Sequence, residues 1–158
     1  MVAMVVFFGI VLYVLNSLNA SVSGYSTDFL SETMESKANQ IGELIVLNKG
    51  NWSASGGLVL AGVAEDWPVL NRTKIFWLNV SCNNDYPGFL SNLGLSSRNG
   101  LKVVINETKP DGTVSSLADC PAGRLVNVKR AEAKRYALAP DVSSPNIMNV
   151  AGVFVYVW

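Results

Sequence analysis

The sequence predicts an α+β fold: a long N-terminal α-helix, about residues 1–48, carrying a small globular head with an antiparallel β-sheet. Three observations predict it. Met1 to Leu15 (MVAMVVFFGIVLYVL) is an unbroken apolar run, and no charged residue precedes Asp28. Helical spacing of apolar residues then continues to Leu47, with no proline before Pro68. From Gly100 the pattern changes to a period of two, as in half-buried strands. On this reading residues 1–27 form a hydrophobic helix for membrane insertion and a filament-type core. Residues 28–49 form an amphipathic half packing on the head, and 50–158 the β-rich head.

The helix is justified residue by residue. Val2, Val5, Val6, Phe7, Phe8, Ile10, Val11, Leu12, Tyr13, Val14 and Leu15 leave no polar face, so this half demands lipid or other helices. Beyond it, Phe29, Leu30, Met34, Ala38, Ile41, Leu44, Ile45 and Leu47 recur at spacings of three and four, with Asp28, Glu32, Glu35, Lys37 and Glu43 on other faces. Asn48-Lys49-Gly50 is a stop signal. Such a helix would be roughly 70 Å long at 1.5 Å per residue. Gly9, Gly24 and Gly42 weaken it, and Ser21 to Gly24 is the expected place of bending.

The head reads as short elements. Leu58 to Ala64 (LVLAGVA) is a strand or buried loop ended by Trp67-Pro68. Asn71 caps a helix over Arg72 to Val80, with Ile75, Phe76 and Leu78 turned inward. Tyr86-Pro87 opens another through Leu93, closed by Gly94. Strands over 100–108 and 113–118 flank the turn Lys109-Pro110-Asp111-Gly112. Arg124 to Leu138 changes parity near Arg130, which predicts a bulge there. The close, Ile147 to Trp158, is apolar on both parities, as expected of a central strand.

Composition excludes most chemistry. Twelve basic residues balance twelve acidic ones, which gives nucleic acid no electrostatic handle. There is no histidine, hence neither the commonest general base nor the commonest metal ligand. No phosphate-loop, dinucleotide or hydrolase motif occurs, so no catalytic, cofactor or metal residues are assigned. Ser31, Glu32 and Lys37 belong to a solvated helix face, and Asp111, Asp119 and Asp141 to separate turns. The basic cluster Arg124, Lys129, Arg130, Lys134 and Arg135 reads as the wet face of an edge strand rather than a nucleic-acid patch. The four tryptophans read as core anchors or subunit contacts.

The compartment is read from cysteine and asparagine. Cys82 and Cys120 are too few for a zinc site alone and too far apart for a redox CxxC; in a chain with a membrane-type segment they suggest one disulfide formed outside the cell, with two buried free thiols as the alternative. Five glycosylation sequons, at Asn19, Asn51, Asn71, Asn79 and Asn106, exceed the roughly two that chance would give. Asn79, in an apolar stretch beside Cys82, is the weakest acceptor.

The N-terminal run admits three readings. A cleaved secretory signal would carry a positive n-region, and none exists. A plain anchor has the length, since Met1 to Ala20 supplies 20 residues, but lacks basic flanks. A helix first inserted in a membrane and then packed among copies of itself accounts for both features, the positive flank having left with a short leader.

That third reading carries a resemblance. The apolar helix AMVVFFGIVLYVLN, then KGNW, GLVLAGVA, VLNRTKI, RYAL and the closing VFVYVW, in that order, resemble archaeal members of the type IV pilin superfamily. The resemblance implies a cell-surface filament of this subunit alone, helices inside and heads outside, used for adhesion to surfaces or host-cell ligands. It also implies a membrane-inserted precursor, a prepilin peptidase and pilus assembly machinery as partners, and N-glycosylation. Bacterial relatives carry a glutamate at the fifth mature position. Val5 and its neighbours are apolar, which fits the archaeal kind. Two other readings stay open: a single-pass, membrane-anchored surface protein with a binding head, and a minor pilin or pseudopilin.

Overall fold

The computed structural model describes residues 2–52, 58–96, 98–123 and 131–158; for 2–6, 18–30 and 58–59 it describes the backbone alone. The chain divides into two compact units, Met1–Thr33 and Met34–Trp158. Helix α1 (Val2–Leu47) contributes to both.

The expected architecture, one membrane-inserting helix carrying an antiparallel head, is overturned. Side chains in the first unit's helix are described over the short run 7–17 and again only from Ser31. Among the described residues no helix is long and apolar enough to cross a membrane. The described apolar side chains end at Leu15, and Asn16 and Ser17 follow as exposed polar residues. The head departs as well, because its main sheet is mixed rather than antiparallel.

That sheet has the strand order β3-β4-β7-β8-β5-β6, built from Ala64–Asp66, Val69–Leu70, Ala131–Pro140, Met148–Val157, Leu101–Thr108 and Val114–Cys120. β4 meets β7 in parallel at Val69 and Leu138, and the other pairs are antiparallel. A separate pair joins β1 (Asn51–Trp52) to β2 (Leu58–Leu60). β8 lies between β5 and β7, as its two-sided apolarity predicts. The hairpin expected around Lys109–Gly112 joins β5 to β6. A bulge does form, at Leu117 of β6 between Ala118 and Ser116. The one expected near Arg130 falls outside the described residues.

Packing follows from strand parity. Odd-numbered residues of β5, β7 and β8 face inward, and Val103, Ile105, Ala133, Ala137, Ala151, Val153, Val155 and Val157 are buried. The small alanines of β7 admit α1 closely, so that Ala38, Ile41, Ile45 and Val46 join the same core. The end of α1 is secured by strand backbone: Ile45 and Asn48 carbonyls accept from Val63 and Ala64 N–H at 2.9 and 3.0 Å. This crossing requires Gly50, whose φ is +65° and whose Cβ, were there one, would stand 2.3 Å from the Gly62 carbonyl oxygen. Trp52 Nε1 donates to that same oxygen at 3.0 Å, so the KGNW and GLVLAGVA segments meet here.

Helix α2 spans Arg72–Asn84, longer than expected, with Asn71 Oδ1 accepting from Lys74 N at 3.1 Å. Ile75, Leu78 and Cys82 form its buried stripe. Phe76, expected inside, points out and is 61% exposed, because it lies about 100° round from that stripe. Helix α3 (Tyr86–Asn92) follows, its first turn capped by Asp85.

Candidate assembly surface

The first unit presents a surface with no interior. Phe7, Phe8, Ile10, Leu12, Tyr13, Val14 and Leu15 are each between 47% and 75% exposed, and Val11 is half-buried. Successive helical residues are separated by 100°, so eight apolar positions among nine consecutive residues leave no polar azimuth. Gly9 has nothing within 4 Å of where a Cβ would stand, which leaves room for a neighbouring backbone. Helical backbone includes Val2, Val5 and Val6, whose side chains lie outside the described residues, as do those of Ala3 and Ala20.

The head is held by different means. Cys82 and Cys120 form a disulfide with Cα atoms 5.8 Å apart, tying α2 to β6. Asn79 and Asn83 reinforce that seam: Asp119 N and Ala122 N donate to Asn79 Oδ1 and Asn83 Oδ1 at 3.1 and 2.9 Å. Behind it, buried Glu107 accepts from Arg72, from Ser115 Oγ at 3.0 Å and from Asn149 Nδ2 at 3.4 Å. Arg72 also donates from Nε to the Pro140 carbonyl. Sequence reasoning did not find this network, because nothing in the pattern shows that Glu107, fourth on the inner face of β5, has a cation waiting.

The predicted site residues scatter. Lys134 and Arg135 take opposite faces of β7: Lys134 Nζ stands 5.8 Å from the Phe154 ring, while Arg135 reaches Asn39 and Glu43 of α1 at 3.1 and 3.2 Å. Arg124, Lys129 and Arg130 lie outside the described residues. The basic cluster is therefore not one face, and β7 is interior in strand order. Asp111 and Asp141 serve their own turns. Hydrogen bonds from Thr113 hold the Asp111 carboxyl below its ordinary pKa, and those from Asn149, Ser143 and Ser144 do so for Asp141. Asp119 pairs with Lys102 at 2.9 Å. Trp52 and Trp77 pack 6.1 Å apart, whereas Trp67 is exposed.

The sequons also differ. The Asn19 side chain and Ser53, the third residue of the Asn51 sequon, lie outside the described residues. Asn71 is engaged as a helix cap and with Glu65, and Asn79 in the α2–β6 seam. Asn106 sits half-buried on β5.

None of the family models, characterised proteins or solved structures compared with the chain gives a significant match.

Proposed function

We propose that the protein is the structural subunit of an extracellular, type IV pilus-like filament that serves attachment, its copies associating through the apolar N-terminal segment. The observation that carries this reading is the exposure of apolar side chains on every side of residues 7–15. A single partner would cover one stripe of such a helix. Covering all of it takes several neighbours, which copies stacked about a common axis supply. The open surroundings of Gly9 give those neighbours a point of close approach. The disulfide suits an oxidising exterior.

Electron microscopy of material sheared from the surface of cells that make the protein tests this. Filaments whose mass spectrum is dominated by this chain are expected. A detergent-soluble monomer or small oligomer, with no filament, would overturn the reading.

A further inference from the structure

The four tryptophans divide into three that are half-buried, Trp52, Trp77 and Trp158, and Trp67, which is 54% exposed. Trp67 turns the chain from β3 into β4 at one edge of the main sheet. The turn is firmly placed: the Pro68 carbonyl accepts from Leu138 N at 2.9 Å, and Val69 then pairs with Leu138. An indole held out in water on a fixed turn is a large apolar surface left uncovered, and tryptophan leads the residue types that anchor protein contacts.

A hollow of about 260 Å³ opens elsewhere on the head, lined by Arg72, Ile75 and Phe76 of α2, Leu117 of β6 and Val142 beyond β7. Ile75 is buried, whereas Phe76 and Val142 stand exposed, so the hollow is apolar from floor to rim. A cavity of roughly 150 Å³ holds one benzene ring, and this one has room for the two fused rings of an indole. Arg72 supplies its polar wall, the guanidinium being held by Glu107 and by the Pro140 carbonyl. A guanidinium fixed in a wall favours an aromatic occupant over an aliphatic one, by cation–π attraction and stacking, and tryptophan is its best partner.

We propose that the Trp67 indole of one copy seats in this hollow on the next copy, joining head to head. Trp67 is not among the described residues that line the hollow of its own chain. It stands at the β3–β4 edge, whereas Leu117 lies on β6, five strand positions away and about 24 Å along the sheet. A knob and a hole on different surfaces of one chain make a heterologous contact. Each copy that receives a knob still presents its own, so the contact repeats along an open filament. A second copy is therefore the occupant that both features fit: it carries the aromatic knob and repeats the contact at every step. The inference rests on the filament reading above and gives the heads a contact of their own beside that of the helices.

Crosslinking of sheared filaments with a short bismaleimide tests the contact. The double variant Asp66→Cys/Ser116→Cys places thiols at exposed positions beside Trp67 and Leu117, while the two native cysteines are tied up in their disulfide. A ladder of covalent multimers is expected from the double variant and none from either single one. Filaments without a ladder would overturn the contact and leave the filament reading standing. No filaments from the unaltered chain would overturn that reading, and the contact with it. Trp67→Ala should cut filaments per cell about tenfold, as truncation of an anchoring residue does, with the head's unfolding midpoint unmoved. Trp67→Phe keeps a ring, guards against misfolding of the alanine variant, and should recover most of the filaments. Normal filament numbers from Trp67→Ala would overturn the indole as the anchor.

Discussion

The two compact units hold apolar residues in opposite ways. From Met34 onward, large apolar side chains converge on one core, closed by a disulfide, a buried ion pair and backbone caps. In the first unit the run 7–15 carries as dense an apolar composition and buries almost none of it within the chain. One unit encloses its apolar side chains; the other, among the described residues, leaves them exposed. The comparison teaches that hydrophobicity alone does not mark a core. What marks one is a second apolar face on the same chain, and residues 7–15 have none among the described residues.

The sharpest way to break this contrast is a charge in the first unit. Leu12→Asp should abolish assembly, scored as filaments per cell by electron microscopy. The head's unfolding midpoint should stay within about 0.5 kcal/mol of wild type, as for surface changes away from structural contacts. Loss of head stability together with assembly would mean that the units depend on each other.

Inside the head, the largest single loss should follow removal of the disulfide. Its loop spans 38 residues of sequence separation, for which chain entropy gives about 4 kcal/mol. Denaturant unfolding with and without strong reductant measures this, and an unchanged transition would refute it. Arg72→Ala comes next. It strips buried Glu107 of its cation and frees the Pro140 carbonyl. About 3 kcal/mol is expected, at the lower end for a broken buried pair because the Arg72 side chain is 23% exposed. The double variant Arg72→Ala/Glu107→Gln should recover part of the loss, since the unpaired charge is then gone.

Much of the head was legible because its signals are local. Alternation at Leu101, Val103 and Ile105, the turn at Lys109–Gly112, and the Asn71 cap each need only a few neighbouring residues. The disulfide was legible because the chain has only two cysteines to pair. What was not legible depends on partners distant in sequence. β4 and β7 pair through one residue each, so nothing in either pattern announces a parallel contact. Phe76 was placed inside because it adjoins Ile75 and Leu78, although the stripe on α2 passes through Cys82 instead. Lys134 and Arg135 look like a patch as adjacent letters, but strand parity sends them to opposite faces.

The smallest effect is also the one that separates the two halves of α1 most finely. Gly42 and Gly9 are both helix-interior glycines, each less favourable than alanine by about 1 kcal/mol at most. A Cβ at Gly42 would meet Ala133 Cβ and Arg135 Cγ at 3.7 Å and Val155 Cγ2 at 3.8 Å, ordinary contact distances. Gly42→Ala should therefore stabilise the head by about 0.5–1 kcal/mol, read as a raised denaturant midpoint at unchanged slope. A lowered midpoint would mean that the α1–β7 contact leaves no room for a methyl group and that the glycine is there for space. At Gly9 nothing lies near, so Gly9→Leu should leave the head's midpoint alone. If copies of the helix cross at that residue, the added side chain holds them apart and filaments shorten or vanish. Filaments of normal length from Gly9→Leu would move the close contact away from residue 9, while leaving intact the requirement that residues 7–15 be covered.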